Sequence, residues 1–294
     1  MSIYITSFGF GLITASILAL ASVGLTLQYG VTNVFNFAFG GTMTFGAFTA
    51  FNVNSFLHQN IWISMAVAVI ATGLLSVALN EFLFQPFIRR GLRLFDLMVV
   101  AFAISIVLQN VILALSGPDI FSYILPTAQP VTFGDFLFTT TQLLIIGVAA
   151  LAVLCVHLLL RYTKIGKAMR ASADDSDLAR LSGINTRMIV NIAWFVSGGL
   201  AGIAGVVLAM NSTSFDAQLG QNFLLLTIAA VILGGIGKPY GAMVAALIVG
   251  IATEEAAVII GAQYELVVAL IAVVIVLLIR PQGLLSLRTR GAQA

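Results

Sequence analysis

Charged residues are scarce in this chain: only 8% of its 294 residues are Asp, Glu, Lys or Arg. A soluble domain carries roughly 25% charged residues, and so few charges cannot cover a water-exposed surface. The sequence also lacks the apolar–polar alternation of membrane-spanning β-strands and has long apolar runs instead. The single cysteine, Cys155, excludes a disulfide framework within the chain. We therefore predict an all-α, polytopic integral membrane helical bundle, with residues 1–294 forming a single domain.

Motifs for catalysis are missing as well. No phosphate-binding loop of the form G-x-x-x-x-G-K-[ST] is present, and GGIGK at 234–238 lacks its spacing. Neither H-E-x-x-H nor G-x-S-x-G occurs, and His58 and His157 have no neighbours spaced to bind a metal. We expect no catalytic residue, no metal site and no cofactor in this chain. Any driving energy has to come from another subunit or from an ion gradient.

Nine apolar segments predict membrane-crossing helices, with ends set to within about two to four residues. The Lys and Arg residues fall into four places: 89–93, 161–187, Lys238 and 280–290. If the chain starts outside and crosses at every segment, all four places lie in the cytoplasm, as the positive-inside rule requires. We therefore expect an outer N-terminus, a cytoplasmic C-terminus and no nucleic-acid partner. The segments are 8–28, 36–52, 61–84, 96–115, 142–161, 189–210, 222–237, 240–260 and 264–280.

The second and seventh segments are short and contain several glycines. About sixteen helical residues span ~24 Å, less than the ~30 Å apolar core of a bilayer. Short helices are tolerated where they line a cavity, which makes these segments candidates for a translocation path; alternatively, glycine only allows close helix packing. The two segments cross in opposite directions, as the paired short segments of an inverted repeat do. The candidate residues are Asn33, Asn36, Phe37, Gly40, Gly41, Gly46, Gly234 and Gly235.

Glu81, Glu254 and Glu255 lie within predicted spans, and an ionisable residue there is a candidate functional residue because its burial is costly. Glu254 is a further candidate, at the mouth of the path. Glu81 and Glu255 are expected to reach an interface or to pack between helices. A self-sufficient secondary transporter would need such a group at mid-membrane. That class and a passive channel stay open as alternatives.

The longest polar segment on the predicted cytoplasmic side, at about 162–188, has the pattern of two short helices. A capping carboxylate, two leucines three residues apart and a helix-ending glycine follow one another there. Small and apolar side chains between charges favour a docking surface for a cytosolic partner; the alternative is a helix lying on the inner leaflet. The residues that carry this pattern are Asp174, Asp175, Leu178, Ala179, Leu181, Gly183 and Ile184.

Five blocks along nearly the whole chain resemble the permease subunits of branched-chain amino acid ABC importers. They read NVFNFAFGGTMTFGAF, RRGLRLFDLMVVAFAISIVLQN, KIGKAMRASADDSDLARLSGIN, VILGGIGKPYGAMVAALIVGI and RPQGLL. In such importers a cytoplasmic loop docks into a groove on an ATPase subunit. Carried over to this chain, that coupling loop begins at Gly166, ends at Asn185 and has Ala171, Ala179, Gly183 and Ile184 at its core.

The resemblance implies a transmembrane permease subunit that translocates branched-chain amino acids or related small solutes across the bacterial inner membrane. It also implies that ATP and Mg²⁺ are bound by a partner subunit, so that this chain is not itself an enzyme. Substrate choice in such systems rests largely with the binding protein, and a urea or short-amide importer therefore stays open. The implied partners are two ABC ATPase subunits, a second homologous permease subunit, an extracytoplasmic solute-binding protein and the lipid bilayer.

Overall fold

The computed structural model describes residues 2–126, 129–133, 136–279 and 283. Over these residues the chain forms twelve α-helices and one antiparallel two-stranded hairpin. The first part contains α1 Ser2–Thr32, α2 Phe39–Phe51, α3 Ile61–Ala78, α4 Gln85–Arg89, α5 Leu94–Ser116, β1 Pro130–Phe133 and β2 Phe136–Thr139. The second part contains α6 Thr140–Tyr162, α7 Lys164–Asp174, α8 Ser176–Leu181, α9 Thr186–Asn211, α10 Leu219–Gly234, α11 Pro239–Ile259 and α12 Glu265–Ile279.

Every predicted apolar segment coincides with a helix, so the predicted helical membrane fold is confirmed. Among the described residues, six helices are long and apolar enough to cross a membrane, and α10 and α12 are shorter apolar helices. The connection between α5 and α6 contains the hairpin, in which Pro130 pairs with Thr139. The predicted cytoplasmic position of the C-terminus and its basic cluster 280–290 lie outside the described residues, apart from Gly283.

The two ends of the bundle are defined by α6 and α9. The hairpin end is where β2 leads into α6 and where α9 finishes, and the loop end is where α7 and α8 join α6 to α9. α1 runs from the hairpin end to the loop end, since its last turns line a cavity with Met169 and Arg170 of α7. α3 runs in the same direction and continues through a π-helical turn, Leu79–Phe84, into α4.

α1 packs antiparallel on α11 through small side chains. A methyl group on Gly11 would lie 2.9 Å from the Cα of Ile251, and one on Gly250 would lie 2.5 Å from the Cα of Ala15. The Ser22 hydroxyl donates a hydrogen bond to the carbonyl of Ala242 at 3.4 Å. Small residues let helix backbones approach closely in a membrane, where apolar burial gives little attraction between helices.

α9 packs antiparallel on α3 in the same manner. A methyl group on Gly198 would lie 2.6 Å from the carbonyl oxygen of Thr72, and one on Gly202 would collide with the hydroxyl of the same threonine. The helix triplets α1–α3 and α9–α11 are thus related, because the first helix of each packs against the last helix of the other. This pattern is the one expected for an inverted repeat.

α1 and α9 form the centre of the bundle. The most apolar stretch of α1 is 83% buried inside the protein and that of α9 is 78% buried, compared with 28% for α5 and 22% for α6. The exposed apolar faces of α5 and α6 are therefore free for lipid or another membrane subunit. The buried polar side chains are spread over several helices, among them Ser22 of α1, Thr44 of α2, Thr72 of α3 and Ser197 of α9.

The two short helices α2 and α10 begin in the middle of the bundle. A methyl group on Gly40 would lie 2.8 Å from the carbonyl oxygen of Gly220, so their first turns touch. The Gly220 amide donates to the Thr44 hydroxyl at 3.0 Å. Ser105, the middle residue of α5, donates to the Gln221 side chain at 2.7 Å. The two N-terminal turns therefore meet at half the depth of the bundle, which we call the mid-depth junction.

Candidate functional site

Two helix caps shape the loop at 162–188. The Thr163 hydroxyl accepts a hydrogen bond from the Gly166 amide at 2.9 Å at the start of α7. One oxygen of the Asp175 carboxylate accepts the amides of Asp177 and Leu178 at the start of α8, both at 2.9 Å. Of the two carboxylates proposed as a cap, Asp175 is therefore the N-cap, whereas Asp174 is the last residue of α7. A carboxylate at this position also suits the positive end of the helix.

The end of α8 is the predicted glycine stop. The amide of Ile184 donates to the carbonyl of Ala179 at 3.0 Å, and the Gly183 amide donates to that of Arg180 at the same distance. Gly183 has a φ of +84°, in the region that favours glycine, and a methyl group there would meet nothing within 4 Å. Glycine is thus required for backbone conformation and not for space, as in a helix-ending motif.

The two loop helices have different surroundings. On α7, Met169 is 1% exposed, and a methyl group on Gly166 would collide with the carbonyl of Leu159. On α8, Leu178 is 61% exposed and Leu181 is 86% exposed, although Ala179 beside them is buried. α7 therefore fixes the loop to the bundle, and α8 presents two leucines away from it. Ala171 of α7 and Ile184 after α8 are both half-buried.

A polar cluster joins the start of α9 to the π-helical end of α3. Arg187 forms an ion pair with Glu81, which also accepts a hydrogen bond from the Asn191 side chain at 3.4 Å. The Asn80 side chain donates to the Asn191 side-chain oxygen at 2.7 Å. Sequence reasoning identified Glu81 but not its partners. One signal could have pointed to the cluster: Asn80 and Glu81 are adjacent at the end of the third apolar segment, which is predicted to end on the same side of the membrane as the basic loop.

Asn36, a proposed path residue, lies in a buried hydrogen-bond group beside the start of α2. Its amide donates to the Gln28 side-chain oxygen at 3.3 Å, and its own side-chain oxygen accepts the Ala38 amide at 2.9 Å. The Ser197 hydroxyl donates to the same Gln28 oxygen at 3.3 Å. Asn33 is exposed at the loop end with a φ of +54°, and Phe37 is half-buried. The group holds the non-helical segment 33–38 against α1 and α9.

The glycines proposed for the path lie in close helix contacts. Gly40 touches the start of α10, and a methyl group on Gly46 would lie 2.6 Å from the Cα of Gly202 in α9. Gly41 faces Leu108 of α5, whose Cβ would be 3.2 Å from an added methyl group. These contacts are those of the packing alternative. A role of these residues in a translocation path stays a prediction.

The remaining path candidates lie away from the mid-depth junction. Gly234 packs against Gly241 at the loop end, and Gly235 has a φ of +100° in the turn that follows α10. Glu254 lies near the hairpin end, where its carboxylate accepts a hydrogen bond from the Thr14 hydroxyl at 2.6 Å. Glu254 therefore joins α11 to α1, and Glu255 beside it is half-buried.

Comparison with known proteins identifies relatives over nearly the full length of the chain. The family model described as "Branched-chain amino acid transport system / permease component" matches residues 7–279. The chain is 30% identical to the high-affinity branched-chain amino acid transport system permease protein BraD of Pseudomonas aeruginosa, over 94% of each protein. It is 29% identical to the permease protein LivH of Escherichia coli, over 94% of this chain and 93% of that protein.

A solved structure shares the fold. The structure of PsaBC from Streptococcus pneumoniae in complex with Fab superposes with a TM-score of 0.51, covering 93% of this chain and 91% of that chain. The sequence identity over this superposition is 15%, so the likeness shows the fold alone.

Proposed function

The chain belongs to the family of permease components of branched-chain amino acid transport systems, and we propose that it forms the membrane path of an ATP-driven importer for such amino acids. It is the transmembrane permease subunit of an ATP-binding-cassette importer that translocates branched-chain amino acids or related small solutes. The family match over residues 7–279 supports this function. It disfavours a self-sufficient secondary transporter, because the relatives are components of multi-subunit systems by name.

The exposed leucines of α8 carry the assignment of the docking surface. Leu178 is 61% exposed and Leu181 is 86% exposed, so this six-residue helix presents two large apolar side chains to water. α7 fixes the helix to the bundle. Covering such side chains by a protein groove removes apolar area from water, worth about 25 cal/mol per Å². Residues 162–188 thus serve as the coupling loop of a single permease domain.

The complete importer contains two ABC ATPase subunits, a second homologous permease subunit and an extracytoplasmic solute-binding protein. ATP and Mg²⁺ are bound by the ATPase subunits, so this chain acts without catalytic residues of its own. The loop end and the C-terminus face the cytoplasm and the N-terminus lies outside the bacterial inner membrane. The arrangement of basic residues on the loop between α6 and α9 supports this orientation.

The experiment is reconstitution of the permease in liposomes with and without its ATPase subunits and binding protein. We expect ATP-dependent uptake of leucine, isoleucine or valine only when all components are present. Uptake by the permease alone would support a secondary transporter. Uptake of urea or acetamide without any of the three amino acids would assign the short-amide alternative.

A further inference from the structure

A cavity of about 530 Å³ opens at the hairpin end of the bundle. It lies between the end of α9, the start of α10 and the start of α12, and its volume falls in the roughly 300–1,000 Å³ range of small-molecule sites. None of the sequence-predicted path residues lines it. The lining residues are Ile120, Leu208, Ser212, Ser214, Phe215, Asp216, Leu219, Asn222, Phe223, Leu226, Gln263, Glu265 and Leu266.

The cavity has an apolar floor and a polar rim. Leu208 and Leu226 are 7% and 5% exposed, so they form the deep part. Asp216, Asn222 and Gln263 are exposed at its opening. A buried apolar wall under a few polar groups is the usual composition of a site that fixes the orientation of a small ligand.

The rim offers both acceptors and donors. One oxygen of the Asp216 carboxylate accepts the Gln218 amide at 2.9 Å, which leaves the other oxygen available. Glu265 supplies a second carboxylate from the first residue of α12. In the described part of the chain, the side-chain amides of Asn222 and Gln263 have no hydrogen-bond partner. Carboxylates bind an ammonium group, and amide N–H groups donate to a carboxylate.

We propose that this cavity is a binding site for an aliphatic amino acid in its zwitterionic form, on its way into the membrane path. The inference rests on the proposed function and locates where the solute first contacts this subunit. Asp216 and Glu265 bind the α-ammonium group, the amides of Asn222 and Gln263 donate to the α-carboxylate, and the aliphatic side chain packs on the leucine floor. A neutral polar solute such as urea makes use of neither the carboxylates nor the floor.

The position of the cavity fits a solute that continues inwards. Asn222 on its rim directly follows Gln221, whose side chain binds Ser105 at the mid-depth junction. A ligand in the cavity therefore lies one helical turn or less from the place where α2 and α10 meet. Motion of these first turns would connect the site to the interior without crossing the tightly packed α1–α11 contact.

The test measures binding of radiolabelled leucine to the complex of both permease and both ATPase subunits in nanodiscs, without the binding protein. Two competitors separate the recognised groups: 4-methylpentanoate lacks the ammonium group, and 3-methylbutylamine lacks the carboxylate. Asp216→Asn and Glu265→Gln should each weaken leucine binding roughly tenfold, the loss expected for one charged hydrogen-bond partner. Binding of 4-methylpentanoate, which is an anion, should not weaken in either variant, because each removes a like charge. Asp119→Asn, which removes a charge at the same end outside the cavity, is the matched control.

The outcomes separate this inference from the proposed function. If the wild-type importer transports leucine but either binds none in nanodiscs or binds it equally well in both variants, the cavity is not a solute site and the proposed function stands. Equal weakening of leucine and 4-methylpentanoate would also overturn the inference, because the carboxylates would then not recognise the ammonium group. If the wild-type importer transports no aliphatic amino acid, the proposed function itself fails.

Discussion

Arg187 and Glu81 form an ion pair that connects the start of α9 to the π-helical end of α3. Arg187 is 62% exposed and Glu81 is 22% exposed, so the carboxylate is the more enclosed partner. Asn185, two residues earlier, caps α9 by accepting the Met188 amide at 3.1 Å. The proposed docking surface on α8 is therefore followed at once by a fixed helix start and a charged contact to a second span.

The ion pair predicts non-additive effects in a double-mutant cycle. Arg187→Gln leaves the Glu81 carboxylate without its cation, and this variant should lower the melting temperature of the purified complex and its solute-stimulated ATPase activity. Glu81→Gln combined with Arg187→Gln should recover part of both losses, since no unpaired charge remains. Thermal unfolding and ATPase assays on the four proteins measure this. Simple addition of the two single effects would show that the pair does not act as a unit.

The second prediction concerns the docking surface on α8. Leu181→Asp replaces an 86% exposed apolar side chain with a charged one. A charge enclosed by a partner's groove costs several kcal/mol unless it is paired. The subunit should still insert into the membrane, but co-purification of the ATPase and solute-stimulated hydrolysis should fall. Leu181→Met is the matched control, because it keeps an apolar side chain of similar volume. Full coupling in Leu181→Asp would mean that α8 is not the docking element.

The third prediction uses glycine-to-alanine substitutions on α2, with one on α6 for comparison. Gly46→Ala should reduce the yield of assembled complex, because its methyl group would lie 2.6 Å from the Cα of Gly202. Gly41→Ala meets the Leu108 Cβ at 3.2 Å and the Ser105 carbonyl oxygen at 3.7 Å, a milder contact that a small shift of α5 should accommodate. Gly147→Ala on α6 has nothing within 4 Å and should stabilise by up to about 1 kcal/mol.

Size-exclusion profiles and melting temperatures compare these three variants, and uptake assays on the same membranes add a functional readout. Gly41→Leu gives a sharper contrast. Normal complex yield with little uptake would support a path role for this position, whereas a fall in yield would support packing. If Gly46→Ala assembles as well as Gly147→Ala, the close contact between α2 and α9 is not needed for assembly.

The fourth prediction concerns topology. Ser176 at the start of α8 and Ser122 near the hairpin are both exposed, and each accepts a cysteine without loss of a buried contact. In a Cys155→Ala background, a membrane-impermeant maleimide should label Ser122→Cys in intact cells and Ser176→Cys only after the membrane is opened. Labelling of Ser176→Cys in intact cells would reverse the proposed orientation.

Local chemistry made the membrane helices and the two short helices at 162–188 predictable from sequence. The apolar runs, the Asp175 cap and the Gly183 stop each depend on residues within a few positions of one another. The β1–β2 hairpin was missed, although its signal is local: Gly134 and Asp135, a turn pair, separate two short runs of β-branched and aromatic residues.

Contacts between distant residues were not predictable in this way. Arg187 is 106 positions from Glu81, and no local pattern says which carboxylate it meets. The hairpin-end cavity draws its walls from three helices, so Asp216 and Glu265 look like ordinary interfacial residues in the sequence. The glycines proposed for the path are a similar case. Glycine in a short apolar helix fits both a path lining and close packing, and only the identity of the facing helix distinguishes the two.

The central position of α1 also has a consequence for how the protein is made. α1 is synthesised first, yet the helix that covers much of it, α11, begins at Pro239. At about 5–20 residues per second, synthesis of α11 follows roughly ten to fifty seconds later. During that interval the Ser22 hydroxyl, buried in the finished bundle, lacks the Ala242 carbonyl that it contacts there. Lipid or the insertion machinery therefore occupies the α11-facing side of α1 until the second half of the chain arrives.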